Sequence, residues 1–453
     1  MIKRARKASG AMVALTLVGA LAGCGTNGSS GHNASAASNQ ASVSNNKPSG
    51  GGAQKPVTVT FWYGIGGQLS KQIQQFVKKF NDTHPGIKVV ATYQGSYSGG
   101  GAEQQKLVAA IQAGQPPDIA QIEVHSMALF ASSGRLANIT SLMRKSKSDK
   151  PGDFLRGMLA STKFNNKYYG IPFNRSVPVL FYNTQAFRKA GISSPPTTWA
   201  ELMTDAKKLT HGSGSNKVYG FEPLVDWWPW EYTVWSSGGN ILSSNGKSAA
   251  FDKPNALGIL KDEFKLVQSG EATVETGPNY WNLMISDFAH GRVAMDIDSI
   301  GSAGEIASEI HNKFQWKTAV LPTYQGNTLA VPPGGGDVAI MSGISQRKEI
   351  AAWTFLQWWT QAQRSAQWSE MTGYLPSEAA SIHLSTYQSF LKKNPQYQVA
   401  LSELKYQKSP PLSSNYLTVL QQVQQGLQAI FDEKHPVQST MTQTAKRVDS
   451  NLR

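Results

Sequence analysis

Apolar and polar positions first become regular at residue 57. Val57, Val59 and Phe61 alternate with threonines, the period-two signature of a half-buried strand. Gly64-Ile65-Gly66-Gly67 follows. Leu69, Ile73, Phe76, Val77 and Phe80 then fall on one helical face, which Pro85-Gly86 ends. Residues 87–92 predict a second strand, the stretch to Gly114 a second helix closed by Pro116-Pro117, and 119–122 a third strand. A β-α-β-α-β order implies a largely parallel, doubly wound sheet, with ligands beyond the carboxyl ends of its strands.

Residues 168–187 break this regularity. Two apolar pieces, Tyr169–Phe173 and Val177–Tyr182, flank Asn174-Arg175-Ser176. Pro172 and Pro178 cannot both sit inside one central strand, since each lacks a ladder N–H. Two arrangements satisfy that: a strand bent and resumed as the chain passes from one lobe to another, or a bulged strand within one domain. Beyond it, 199–209 and 257–267 read as helices, 219–240 is rich in Trp and Gly, and 288–298 leads into a strand ending Asp296-Ile297-Asp298. Pro332, Pro333 and Gly334-Gly335-Gly336 mark a second irregular crossing. Ala352, Phe355, Leu356 and Trp359 share one helix face; Leu420, Val423, Leu427 and Phe431 share another. There is no internal repeat and no heptad run.

Length adds that 453 residues exceed one ordinary core, so two domains are expected. The formal charge is +14, of which Lys3, Arg4, Arg6 and Lys7 supply four in an acid-free leader, leaving +10 for the rest. Ala11–Leu21 is apolar but too short to span a bilayer, the pattern of a secretory signal. Leu21-Ala22-Gly23-Cys24 resembles the lipobox of bacterial lipoproteins, and Cys24 is the only cysteine. Residues 25–55, made mostly of Gly, Ser, Asn and Ala, read as a disordered tether. The expected address is the outer face of the cell membrane, reached through a lipid anchor at Cys24.

Candidate chemistry is sparse. The eight histidines do not fall into metal-ligand spacing, no Gly-x-Ser-x-Gly elbow occurs, and no metal or cofactor is expected. Gly64-Ile65-Gly66-Gly67 fits neither phosphate-loop spacing and reads as a tight turn. Asp296 and Asp298 point to one face of a strand end; they could serve acid–base work on a glycoside, bind sugar hydroxyls, or pair with Arg292. The cluster Trp227, Trp228, Trp230 and Trp235 offers faces for stacking on a sugar ring. Lysine and arginine are scattered, so nucleic acid is not an expected partner.

These stretches also resemble a family. "YGIPFN", "PVLFYNTQAFRKAGI", "TYQGSY", "AAIQAGQPPDIAQIE", "FAHGRVAMDID" and "MTGYLPSEAA" are similar to the extracellular solute-binding proteins of ABC importers, most of all the sn-glycerol 3-phosphate and sugar subgroup. The resemblance implies an α/β, two-lobed periplasmic-binding-protein fold of type II, each lobe a doubly wound mixed sheet joined by hinge crossings. It implies lobes at 57–172 with 331–372 and at 173–330 with 373–453. It points to Tyr97, Glu123, Ser299, Gly335, Tyr374, Trp227 and Trp230 as solute contacts. Ser176, in the polar step, joins them as a binding residue, and Asp298, Glu123, Arg175 and Ser299 are expected to select hydroxyls.

Two departures matter. Glu123 sits one place early along its strand, which would turn it to the other face. The subgroup's phosphate-binding arginine has no match, and Arg175 is the expected substitute. A sugar or oligosaccharide is thus expected first, a glycerophospho-compound second, delivered by a monomer to permease subunits. The rivals are a secreted hydrolase using Asp296 and Asp298, and a tethered adhesin.

Overall fold

A computed structural model describes residues 55–452 except 278; the leader, Cys24 and the tether up to residue 54 lie outside the described residues. The alternating run is β1 (Val57–Tyr63), with Val59, Phe61 and Tyr63 buried. α1 (Gly67–Thr83) buries Ile73, Phe76, Val77 and Phe80, the face its periodicity predicts. β2 (Ile87–Tyr93), α2 (Ala102–Gln112) and β3 (Ile119–Glu123) complete the first units. Two short helices, α3 (Met127–Ser132) and α4 (Thr140–Lys145), and a small hairpin of β4 (Lys163–Phe164) and β5 (Lys167–Tyr168) lead to the proline-flanked stretch.

That stretch forms β6 (Ile171–Ser176) and β7 (Pro178–Asn183). Next come α5 (Thr184–Lys189), α6 (Trp199–Leu209), α7 (Trp227–Ser236), α8 (Gly258–Ser269) and α9 (Tyr280–Ala289). β8 (Met295–Ser299), α10 (Ala303–Ile310), β9 (Trp316–Ala319) and β10 (Gly334–Ile340) follow. Helices α11 (Gln346–Thr360), α12 (Ala362–Thr372), α13 (Ser385–Lys393), α14 (Gln396–Glu403), α15 (Tyr416–Phe431) and α16 (Val437–Asn451) end the described chain.

Only Val177 separates β6 from β7, yet they lie in different sheets, so the chain passes from one sheet to the other there. The first sheet runs β2-β1-β3-β10-β6. β1 is parallel to β2 and β3, whereas β10 is antiparallel to β3 and β6. The register slips between Gly336 and Asp337, opposite the polar step of β6, so a local irregularity accompanies the crossing. In the second sheet β7 is antiparallel to β8 and β9. Parallel bridges extend it: Tyr219 to Val293, Glu222 to Asp296 and Phe221 to Ala272. Each sheet is therefore mixed, parallel on one side and antiparallel where the crossing strand enters.

Separate cores hold the lobes. Phe61, Phe76, Phe173, Phe355, Trp359 and Trp368 pack under the first sheet, and Phe181, Trp199, Phe221, Phe288 and Met295 under the second. A third cluster joins α7, α8, α15 and α16. The tryptophan-rich segment is helix α7, capped by Asp226 and buried at every residue.

Gly335, paired with Arg175 in β10, sits at φ +88°. A Cβ there would collide with the Asn174 carbonyl oxygen. Gly335→Ala is expected to destabilise the body by at least ~1–3 kcal/mol, the scale of forced backbone strain, and chemical denaturation measures it.

Candidate functional site

Between the two sheets lies a cavity of about 250 Å³. The first lobe supplies Tyr97, Ser98, Glu123 and His125; the crossings supply Ser176 and Gly335. The second lobe supplies Trp227, Trp228 and Trp281, with Asn282, Ser299, Ser302 and Glu305; Tyr374 enters from the loop after α12. An adjoining open groove of about 720 Å³ shares Ser98, Trp227, Trp281 and Asn282 with it.

A polar relay orients the first-lobe wall. The Gly64 amide donates to Gln121 Oε1 (2.9 Å), Gln121 Nε2 donates to Asn174 Oδ1 (3.0 Å), and Asn174 Nδ2 donates to the Tyr97 hydroxyl (3.0 Å). Gly64 is needed because a Cβ would fall 2.6 Å from Tyr97 Cβ. That glycine serves the tyrosine rather than the cavity directly.

Glu123 closes β3 and points into the cavity despite its early position in the strand. Its Oε1 accepts from the Gly99 amide (3.3 Å), and its buried Oε2 has no partner. Burial pushes its carboxyl up to about 7, against the opposing pull of His125 and the Gly99 amide. His125 bridges the lobes: its Nε2 lies 3.0 Å from Glu231 Oε2 in α7, and Tyr416 donates to the other Glu231 oxygen. His125 Nδ1 is buried and unpartnered. Glu123 Oε2 and His125 Nδ1 are therefore two polar atoms at the cavity with bonds still to make. Burial also raises the Tyr97 and Tyr374 hydroxyls, so both remain protonated donors.

Seven of the ten sequence candidates converge on this lining: Tyr97, Glu123, Ser176, Trp227, Ser299, Gly335 and Tyr374. Three do not. Arg175 alternates with Asn174 and Ser176 along β6 and so faces away, where Nη1 pairs with Asp337 Oδ1 and Ser161 Oγ, both at 2.8 Å. Its charge is committed there, not held for a phosphate. Trp230 turns away from the cavity along α7 and packs edge-on against Phe251 within the third core cluster. Asp298 lies behind the lining and accepts from the Ser299 amide; burial pushes it up to about 7, with Ser302, Ser299 and Trp281 opposing. Asp296, fully buried beside Glu222, also lies outside the lining, and Arg292 pairs with Asp287 rather than either.

Sequence patterning missed His125, Trp281, Asn282, Ser302 and Glu305. Trp228, named in the tryptophan cluster, lines the cavity in place of Trp230. A detectable signal existed for Ser302 and Glu305, which open the helix directly after the Asp-Ile-Asp strand.

Two mixed sheets crossed by the chain, with an aromatic and acidic cavity between them, define a receptor that encloses a small polar molecule. The chain belongs to the bacterial extracellular solute-binding proteins, whose family model matches residues 66–364. The sn-glycerol-3-phosphate-binding periplasmic protein UgpB of Escherichia coli (strain K12) is 26% identical over 436 residues, covering 89% of this chain and 94% of that protein. The crystal structure of UgpB from Mycobacterium tuberculosis in complex with glycerophosphocholine superimposes with a TM-score of 0.77 at 24% identity, covering 88% of this chain and 98% of that one. The GacH receptor of Streptomyces glaucescens, solved unliganded and with acarbose, gives a TM-score of 0.76 at 21% identity over 88% of this chain and 99% of that one.

Proposed function

We propose that this solute-binding protein captures a neutral, hydroxyl-rich solute, a sugar or short oligosaccharide, and passes it to the permease subunits of an ABC importer. One observation carries the choice. Among the described residues, the cavity lining holds three tryptophans, two tyrosines and the carboxyls of Glu123 and Glu305, but no lysine or arginine. Tryptophan faces stack on the apolar faces of sugar rings, and carboxylates accept from hydroxyls. A phosphate needs charge-assisted donors, best from arginine. The cavity suits one or two sugar rings, and the adjoining groove gives a longer chain room to continue.

Tyr97, Glu123, Ser176, Trp227, Ser299, Gly335 and Tyr374 would contact the solute, with His125, Trp228 and Trp281 added. The lobes divide at Val177 and again just before Gly334. Closure is favoured only by the extra affinity of the closed form for solute. Capture occurs without turnover, as a monomer at the outer membrane face, moored through a lipid on Cys24. A glycerophospho-compound is the second reading; the name of the Escherichia coli relative favours it, and the missing cationic side chain weighs against it.

Titration calorimetry with mono- and oligosaccharides, glycerol 3-phosphate and glycerophosphocholine tests this. Sugar binding is expected, weakened roughly 10–100-fold by Trp227→Ala, the equivalent of losing ~1.5–3 kcal/mol of apolar burial. Binding of the phosphate compounds alone would overturn it.

A further inference from the structure

Three acidic side chains from three separate elements meet on the far side of α9. Glu222 ends the strand segment bridged to β8, Glu275 lies in the loop after α8, and Asp287 lies in α9 itself. One carboxylate oxygen from each falls within 4.8 Å of the others. Glu222 is 0% exposed, and neither of its oxygens has a hydrogen-bond partner. Asp296, bridged to Glu222 through the backbone, is equally buried with both oxygens unpartnered. Such oxygens are stable only when protonated or when a cation meets them. Among the described residues, the side-chain cation paired within the group is Arg292, bound to Asp287 with its own side chain 56% exposed. If all three were ionised, three carboxylates against one guanidinium would carry an excess of two negative charges.

We propose that Glu222, Glu275 and Asp287 form a divalent-cation site, and that Ca²⁺ is the ion it fits. The donor set is all oxygen, which excludes the soft metals that thiolates and imidazoles select. The three oxygens lie within 4.8 Å of one another, close enough for one ion to reach all three; Ca²⁺ accepts an irregular set of carboxylate oxygens, whereas Mg²⁺ demands a near-ideal octahedron. Glu222 provides the buried floor, Glu275 and Asp287 the walls, and the half-exposed Arg292 can swing off Asp287 as the ion enters. The ion would tie the 271–277 loop and α9 to the edge of the second sheet. Because α9 carries Trp281 and Asn282 on its cavity side, the same ion would fix part of the solute wall from behind.

The test uses the folded body stripped of metal with chelator, without any solute. Calorimetry with CaCl₂ is expected to show one ion per chain, with saturation by about 1 mM as in extracellular calcium modules. The thermal midpoint should rise with Ca²⁺ and less with Mg²⁺. Glu275→Gln, a partly exposed change that leaves the fold intact, should weaken Ca²⁺ roughly tenfold or more. Arg292→Ala should tighten it by removing the competing charge, an effect a merely structural salt bridge would not produce. No heat and no midpoint shift in folded protein at that concentration, or Ca²⁺ binding unchanged by Glu275→Gln, would overturn the site. Neither outcome bears on which solute the cavity holds.

Discussion

Asp337→Ala unfolds at a markedly lower denaturant concentration than the parent, with an expected loss of about 3–5 kcal/mol, because it strands the buried Arg175 guanidinium. Arg175 is 1% exposed, and its Nε and Nη2 already lack partners, so Nη1 rests entirely on Asp337 and Ser161. The pair also joins β6 to β10, the strands that carry the chain between lobes. Replacing both partners by apolar residues, as in Arg175→Met with Asp337→Leu, is expected to recover most of the loss, since neither then leaves a bare charge. Urea titration of the single and double variants reads both effects. A single variant within ~1 kcal/mol of the parent would mean that water reaches the guanidinium and the pair does not hold the crossing.

Solute affinity follows pH in a direction that reveals the solute. Burial holds Glu123 near 7, above its ordinary 4.5, so the group changes charge in the working range. A sugar hydroxyl donates to the carboxylate form. Its affinity should therefore rise from pH 6 to pH 8, by roughly tenfold if one carboxylate must be ionised. A phosphate would be repelled by the same charge, and its affinity should fall over that interval. Glu123→Gln should flatten either profile and cost a hydroxyl ligand roughly 10–100-fold, the value of a charge-assisted bond. Stability moves the other way. Between about 4.5 and 7 the folded state keeps a proton on Glu123 that the unfolded chain releases, so this group makes the empty body less stable at pH 8 than near pH 5. An affinity independent of pH in the parent would remove Glu123 from the binding set.

Local order was legible wherever one period dominated. The β1–α1 unit, α6 at 199–209 and β8, which runs one residue past Asp298, follow directly from spacing, and the Pro172–Pro178 interval brackets the step from β6 to β7. What spacing could not supply was the third dimension of the site. Sequence places Arg175 and Ser176 both at the site, although alternation allows only one of the two into the cleft; Asp337, more than 160 residues away, decides which. Trp227 and Trp230 are three apart on a helix, but Phe251 claims Trp230 and leaves the cavity to Trp228. Glu123 enters the cavity because β3 ends there and the chain turns at once, an end effect that a face-counting argument along the strand misses.

The His125–Glu231–Tyr416 contact would carry a cost in an importer's receptor. It joins the two halves directly, without passing through a solute, so it favours the shut form whether or not solute is bound. Whatever fraction is shut and empty would compete with loaded molecules for a permease, at the expense of ATP spent without transport. Removing that contact, as in Glu231→Ala, is expected to shift the solute-free molecule towards the open form, which small-angle scattering reads as a larger radius of gyration.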